Sequence, residues 1–128
     1  RSPYLDKIKI ILGDIRDYDS VYKSMKGCDV VFHLAALIGI PYSYVSPQAY
    51  IRTNVDGTYN VLESAKNLKI RNILITSTSE VYGTSETIPI KETHRLNAQS
   101  PYAASKIASD QLALSFYNSF KSPIVGDK

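Results

Sequence analysis

The feature that most constrains the fold is an alternation of short β-branched runs with segments of helical spacing. The runs, each followed by such a segment, are Ile8–Leu12, Asp29–Leu34 and Asn72–Ser77. Runs of this length bounded by Gly, Asp and small residues predict strands. Because they are nearly continuously apolar, they also predict burial on both faces of a parallel sheet. The strand–helix order therefore predicts an α/β fold.

Three helices complete this pattern. The first spans about Tyr18 to Lys26 and is closed by Gly27. The second has Ser46 as its N-cap and Pro47 as its first helical residue, and reaches about Leu68. The third starts at Ser100-Pro101 and ends near Phe120. Residues 37–45 are predicted as a loop and residues 83–99 as irregular chain.

Size and composition limit the classes of function. At 128 residues, with 44% hydrophobic and 21% charged residues, the chain is typical of one soluble globular domain. A net charge of +3 without a basic block gives no argument for nucleic-acid binding. The single Cys28 excludes an internal disulfide framework, offers no metal site and suits a cytoplasmic protein. No run approaches the length of a membrane span.

The strongest chemical signal is Tyr102 followed four residues later by Lys106, because residues at this spacing share one helical face. A free tyrosine is almost fully protonated at neutral pH and is a poor base. A lysine ammonium beside it, helped by a cationic nicotinamide ring, favours the phenolate. Such a pair alone is usually a surface feature. After a strand that ends in Thr76-Ser77-Thr78-Ser79, it predicts a general base.

Other candidates lie where strands end, since ligands of open parallel sheets bind beyond the carboxyl ends of the strands. Asp14 either reaches an adenine or ribose edge or caps the following turn. The small residues Leu34-Ala35-Ala36 either admit a flat cofactor or pack in a turn. His33 is predicted to be a hydrogen-bonded core histidine.

The hydroxyls of Thr76 to Ser79 either bond a substrate oxygen or are exposed at a strand edge. Glu80 is either a general base or a surface glutamate. Gly57, in mid-helix, costs about 1 kcal/mol relative to Ala, which close approach of another helix or of a cofactor would explain. Thr53 and Asn54, one turn earlier, are predicted to face the carboxyl edge of the sheet.

The glycines are too widely spaced to form a phosphate-binding turn. A dinucleotide site would therefore need a Gly-rich βα unit upstream. Since the chain also starts at Arg1, we expect it to be an internal piece of a longer protein.

Several motifs in order resemble the extended short-chain dehydrogenases/reductases, specifically the NAD-dependent nucleotide-sugar epimerases and dehydratases. They are Gly13-Asp14-Ile15-Arg16-Asp17, His33-Leu34-Ala35-Ala36, Thr53-Asn54-Val55-Asp56-Gly57-Thr58, Thr78-Ser79-Glu80-Val81-Tyr82-Gly83 and Ser100-Pro101-Tyr102-Ala103-Ala104-Ser105-Lys106. Residues 36–44 resemble the 4,6-dehydratases that act on nucleotide-activated N-acetylglucosamine in legionaminic-acid-type pathways.

The resemblance implies a partial Rossmann-like, doubly wound parallel sheet. Residues 1–128 would be the central part of the NAD-binding domain, without its first βαβ unit and without the C-terminal substrate domain. In the order 3-2-1-4-5-6, Ile8–Leu12 would be strand 3 and would lack its neighbours, and residues 122–128 would stop where the next strand begins. The resemblance also implies a homodimer formed through the two long helices.

The family's roles carry over by motif. Tyr102 would deprotonate the sugar 4-hydroxyl, Lys106 would hold the nicotinamide ribose, Thr78 would bond the same sugar oxygen and Glu80 would remove the C5 proton. The residues implied to line the NAD path are Asp14, Ile15, Leu34, Ala35, Ala36, Thr53, Ser77, Tyr102 and Lys106.

These roles predict a 4,6-dehydratase: oxidation at C4, loss of water across C5 and C6, and return of hydride to C6. Ser79 departs from the Asp-Glu pair of the well-studied hexose dehydratases, so a 4-epimerase or a uronate decarboxylase stays open. A non-catalytic NAD-binding regulator is the alternative from another class. We expect the isolated piece to be inactive.

Overall fold

The computed structural model describes residues 3–120 and 124–127. A 3-10 turn at Leu5–Lys7 is followed by chain without regular secondary structure and then by helix α1, Tyr18–Met25. The Asp17 side chain caps α1 by accepting hydrogen bonds from the backbone N–H groups of Asp19 and Ser20. Helix α1 therefore begins where its cap fixes it, and it ends one residue before the predicted Lys26.

A small parallel sheet forms the centre, in the order β1-β2-β3. Strand β1 is Val30–His33, β2 is Asn72–Thr76 and β3 is Ile124–Asp127. The register pairs Val30 with Asn72, and Ile73 with Ile124. Parallel neighbours joined by helices are the α/β arrangement that the sequence predicts. The chain does not stop short of the next strand, because β3 lies within the predicted tail.

The predicted strand at Ile8–Leu12 is wrong: these residues have no regular secondary structure. Their side chains are exposed, with Leu12 95% and Ile10 77% accessible. A β-branched run becomes a strand only where a neighbour completes its hydrogen-bond ladder. In the described part of the chain, the sheet contains β1, β2 and β3 and nothing pairs with residues 8–12.

The prediction of strands buried on both faces is also wrong in this structure. His33 is buried on the inner face of β1, and Ile73 and Ile75 are buried on the inner face of β2. Val30 and Phe32, on the other face of β1, are exposed. The inner face packs on one core with α1, α4 and α5, formed by Val21, Met25, Val61, Leu62, Ala65, Ile70, Ile73, Ile75, Ala113 and Phe116. The alternating burial therefore shows that the described helices cover one face of the sheet.

The long second helix is interrupted by a π-helical segment. Helix α3, Pro47–Tyr50, runs through the π segment Ile51–Asp56 into α4, Gly57–Leu68. Ser46 occupies the predicted N-cap position and Pro47 the first helical position, but the Ser46 side chain makes no capping hydrogen bond. The predicted loop at residues 37–45 contains a short helix, α2, Ile40–Val45.

The last helix agrees with the sequence. Helix α5 spans Pro101–Phe120, and Ser100 Oγ accepts a hydrogen bond from Ala103 N at 3.0 Å. A short 3-10 turn, Ser79–Tyr82, lies between the end of β2 and the irregular chain that leads to α5. The cap at Ser100 sets the start of α5 and thereby the face that carries Tyr102 and Lys106.

Candidate active site

Tyr102 and Lys106 occupy one buried face of α5. Their side chains are 9% and 6% exposed, respectively. Lys106 Nζ donates a hydrogen bond to the carbonyl oxygen of Thr76, the last residue of β2, at 2.7 Å. A lysine is almost never this buried unless it is paired. The predicted pair is therefore a buried feature at the carboxyl end of a central strand, and not a surface pair.

Burial sets the charge states around Lys106. Desolvation lowers the pKa of Lys106, and the nearby Asp110 carboxylate opposes that effect. Desolvation, with a smaller contribution from the Lys106 charge, lowers the pKa of His33 to about 4. His33 Nε2 shares a 2.9 Å hydrogen bond with Thr58 Oγ1 on α4. The prediction of a hydrogen-bonded core histidine is confirmed.

Tyr50 packs directly on Tyr102, with ring centroids 6.0 Å apart in an edge-to-face arrangement. Tyr50 is fully buried, and its hydroxyl lies 2.9 Å from Ile38 O and 2.6 Å from Gly39 O. Gly39 has a φ of 102°, which an L side chain rarely adopts. Tyr50 thus joins the loop after β1 to the Tyr102 ring. Tyr50 was not predicted as a site residue, because no motif in the sequence distinguishes it from the other tyrosines.

Glu80 lies in the 3-10 turn Ser79–Tyr82, which follows β2 and packs against α5, and Thr78 directly precedes this turn. Thr78 Oγ1 accepts a hydrogen bond from Glu80 N at 3.3 Å, and this side chain caps the turn. Thr78 is half-buried and Glu80 is exposed. The turn therefore leaves the Glu80 carboxylate accessible next to the end of β2.

A cleft of about 360 Å³ lies beside β1, bounded by residues 11–15, by α1 and by the end of the strand. Four of the residues predicted to line a cofactor path border it: Asp14, Ile15, Leu34 and Ala35. Clefts of this volume are within the range of small-molecule and cofactor sites. The structure thus brings together residues that are far apart in the sequence.

Asp14 caps its own turn, as one of its two interpretations predicts, and the other interpretation, contact with an adenine or ribose edge, stays a prediction. Its Oδ1 accepts hydrogen bonds from Arg16 N and Arg16 Nε, each at 2.9 Å. Hydrogen bonding to Arg16 lowers the pKa of Asp14 to about 2. A Cβ on Gly57 would lie 2.9 Å from Ile15 Cγ2, so Gly57 tolerates the close approach of this turn. Gly57 is closely approached, but by Ile15 of the Asp14 turn and not by the predicted helix or cofactor.

The other predicted cofactor residues lie outside this cleft. Ala36 is half-buried at the start of the loop after β1, and Thr53 is half-buried in the π segment. The Ser77 hydroxyl donates to Asp110 Oδ2 at 2.5 Å. Ser77 therefore contributes to the junction between β2 and α5.

Asn54 is the polar centre of the region between the cleft and α5. It is 1% exposed; its Oδ1 accepts from Leu37 N at 2.7 Å, and its Nδ2 donates to Leu37 O at 3.0 Å and to Ser105 Oγ at 2.9 Å. Ser109 Oγ donates to Asn54 O at 2.7 Å. A buried, fully bonded network fixes geometry. The sequence signal for it was the polar Thr53-Asn54 pair in mid-helix.

Neither a metal site nor a membrane span is found in the described residues. Within residues 3–120 and 124–127, no three His, Cys, Asp or Glu side chains are grouped so that they could hold a metal ion. In the same ranges, every helix is too short or too polar to cross a bilayer.

The fold and the site together define a class. A parallel sheet with a buried Tyr-x-x-x-Lys pair at its carboxyl edge is the arrangement of an extended short-chain dehydrogenase/reductase. The chain belongs to the family described as GDP-mannose 4,6 dehydratase, whose sequence model matches residues 1–126.

Relatives in this family carry out more than one reaction. A probable UDP-glucuronate 4-epimerase from Rhizobium meliloti is 38% identical over 96 residues, which are 74% of this chain and 28% of the relative. A UDP-N-acetylglucosamine 4-epimerase structure from Methanobrevibacter ruminantium has a TM-score of 0.91 at 34% identity, covering 98% of this chain and 40% of that one.

The fold is also that of a dehydratase. A dTDP-glucose 4,6-dehydratase from Streptomyces venezuelae, solved with NAD bound, has a TM-score of 0.86 at 32% identity, covering 89% of this chain and 35% of that one. The chain spans about a third of the length of the curated relatives it matches. Membership of the family is therefore shown, and the choice between dehydratase and epimerase rests on chemistry.

Proposed function

We propose that the full-length protein is an NAD-dependent nucleotide-sugar 4,6-dehydratase in which Tyr102 is the base. The observation that carries this proposal is the burial of Tyr102 beside Lys106, with the Lys106 ammonium fixed to the carboxyl end of β2. A buried cation stabilises an anion beside it, and the phenolate form of Tyr102 would be the group that accepts the proton. The nucleotide-activated N-acetylglucosamine predicted from residues 36–44 is the substrate we propose to test first.

The residues present fit a dinucleotide. The cleft of about 360 Å³ is lined by the small side chain of Ala35 and by the carboxylate of Asp14. Lys106 provides a cation at the carboxyl end of β2. Bound NAD would accept a hydride from the sugar C4 and later return it to C6. Asp14, Ile15, Leu34 and Ala35 would hold its adenosine end, and Lys106 its nicotinamide ribose.

The chain's own groups would move the protons. Tyr102 would take the proton of the sugar 4-hydroxyl, while Thr78 would hydrogen-bond the same oxygen. The resulting 4-ketone acidifies the C5 proton, which the exposed Glu80 carboxylate would remove and pass to the hydroxyl that leaves C6 as water. A proton from solvent would then add at C5 as hydride returns to C6. Protonated Tyr102 would then keep the C4 oxygen polarised.

Ser79 supports the second candidate, a 4-epimerase. A dehydratase must protonate the hydroxyl that leaves C6, and a serine is a far weaker acid than a carboxylic acid. An epimerase needs the same Tyr102 and Lys106 chemistry without that step, and two of the relatives above are epimerases.

Product analysis in deuterated water tests the proposal. Full-length protein is incubated with NAD and a panel of nucleotide sugars, including UDP-N-acetylglucosamine and UDP-glucuronate. We expect loss of one water and uptake of solvent deuterium at C5. Unchanged mass with inverted C4 would establish the epimerase, and release of carbon dioxide the decarboxylase. No product with any sugar would favour the non-catalytic regulator.

Two further properties stay predictions from the sequence. One is a homodimer through the long helices, on which Tyr59, Leu114, Tyr117 and Phe120 are exposed. The other is location in the cytoplasm.

A further inference from the structure

Asp110 joins α5 to the end of β2 at a point that the proposed reaction does not use. It lies one helical turn after Lys106, and its Oδ2 accepts a hydrogen bond from the Ser77 hydroxyl at 2.5 Å. The preceding residue, Thr76, accepts the hydrogen bond from Lys106 Nζ at 2.7 Å. Two successive residues of the β2 end are therefore held by two side chains four residues apart on α5.

We propose that Asp110 is a positioning residue for Lys106: tied to Ser77, its carboxylate keeps the buried ammonium charged and directed at the β2 end. The consequence for catalysis rests on the proposed function of Lys106 beside Tyr102. The effect on Lys106 itself does not depend on that function.

The physical argument is the cost of burying a cation. A buried ammonium loses its hydration and tends to become neutral unless a charge or hydrogen bonds compensate. The Thr76 carbonyl supplies a hydrogen bond and no net charge. Burial lowers the pKa of Lys106, and the Asp110 carboxylate acts in the opposite direction. Asp110 is half-buried, so its field is less screened than that of an exposed carboxylate.

The other ionisable groups near α5 do not replace this carboxylate. His33 on β1 is held in the neutral form at neutral pH because burial lowers its pKa to about 4. Glu63 and Lys66 on α4 pair with each other at 2.7 Å. Among the residues whose side chains the structure describes, the remaining ones on elements packed against α5 are the exposed Arg52, Asp56 and Glu80 and the tyrosines Tyr42, Tyr44, Tyr50, Tyr59 and Tyr82; α5 itself carries Tyr102 and Tyr117.

Titration of Lys106 in the full-length protein tests the proposal directly. Lysine is labelled with ¹³C at Cε, and the Lys106 resonance is assigned by its loss in Lys106→Arg. In Asp110→Asn, which keeps the shape of the side chain and loses its charge, we expect the titration midpoint to fall by about one pH unit or more. Asp110→Glu should restore most of the midpoint. Ser115→Ala removes an exposed hydroxyl of the same helix and should leave it unchanged.

Activity provides the second readout. The alkaline limb of the kcat profile should move to lower pH in Asp110→Asn, because Lys106 loses its proton earlier. An unchanged Lys106 midpoint in Asp110→Asn would overturn the proposal, even if stability fell. Should that variant not fold, Asp110→Ser removes the same charge with a smaller side chain. A shifted midpoint in a protein that forms no product would support the role of Asp110 and reject the proposed function.

Discussion

His33 shows how burial decides the chemistry of a single residue. In the sequence it stands at a strand end, where ligand-binding residues gather, and the structure places it in the core with Thr58 as its partner. Its pKa is lowered from 6.5 to about 4, chiefly by desolvation. Because the unfolded state binds the proton more readily, stability is fully present above pH 6.5 and is lost as pH falls toward about 4.

His33→Gln should remove this pH dependence. The pKa difference is 6.5 minus about 4, or about 2.5, which at about 1.36 kcal/mol per unit corresponds to about 3 kcal/mol of stability lost on acidification. This loss of stability is measured by denaturant unfolding of the full-length protein at a series of pH values between pH 7 and pH 4. The same substitution at the other histidine, His94→Gln, should keep the dependence. If the unfolding free energy of His33→Gln depended on pH as strongly as that of the parent, His33 would not be the source of the pH dependence.

At the scale of elements, the π segment Ile51–Asp56 connects the loop after β1 to α5. π segments are rare and often occur at functional sites. Here Asn54 bonds both backbone groups of Leu37 and the Ser105 hydroxyl, while Ser109 bonds the Asn54 carbonyl. The segment therefore fixes the loop after β1 relative to the helix that carries Tyr102.

Asn54→Ala should destabilise the full-length protein by roughly 2–4 kcal/mol, because it removes the partner of the half-buried Leu37 N and Leu37 O and that of the buried Ser105 hydroxyl. Asn67→Ala is the matched control: Asn67 lies on the same long helix, is exposed, and donates hydrogen bonds to Tyr18 and Glu63 at 3.1 and 3.2 Å. We expect the control to cost less than about 1 kcal/mol. If chemical denaturation gave the same loss of unfolding free energy for both variants, the stabilising role of the Asn54 network would be contradicted.

The elements also show which parts of the fold local sequence determines. Helix α5 was predictable because Ser100-Pro101 sets its start. The predictions of β1 and β2 are correct because each of these runs has a parallel neighbour in the sheet. The Ile8–Leu12 run has the same local signal and forms no strand, since pairing is a property of two segments. Helix α2 was missed because Gly39 and Pro41 in residues 37–45 are typical of loops.

The residues of the candidate site also fall into those that local sequence indicates and those that depend on packing. The spacing of Tyr102 and Lys106 predicted their shared face, and the place of Leu34 after β1 predicted its position at the cleft. Asp14 also borders the cleft, although the strand assigned before it does not form. Tyr50, Ser105 and Asp110 were not predicted, because their contacts depend on how α3 and α5 pack.

At the scale of the whole molecule, the described chain exposes a large apolar surface beside β1. Ile10, Leu12, Phe32 and Leu34 are 77%, 95%, 66% and 68% exposed, respectively. Large apolar side chains exposed in this number are typical of surfaces that are normally covered. The core formed by α1, α4, α5 and the sheet is therefore packed on one side only.

We accordingly expect the isolated 128 residues neither to unfold as one cooperative unit nor to bind NAD tightly. Denaturation followed by two probes should give transitions that do not coincide. Titration calorimetry with NAD should give little heat, whereas the full-length protein serves as the positive control. Tight binding of NAD by the 128-residue piece would contradict this expectation.

The central claim is that the Tyr102 phenol, beside buried Lys106, takes the proton from the sugar alcohol. Its most direct test is the rate at which NAD is reduced in a single turnover, followed by absorbance after mixing full-length protein, NAD and the nucleotide sugar. Tyr102→Phe should slow this rate by roughly 10²–10⁴-fold. Tyr117→Phe, at an exposed position of the same helix, should leave it unchanged. A Tyr102→Phe variant that reduces NAD at the parent rate would contradict the claim.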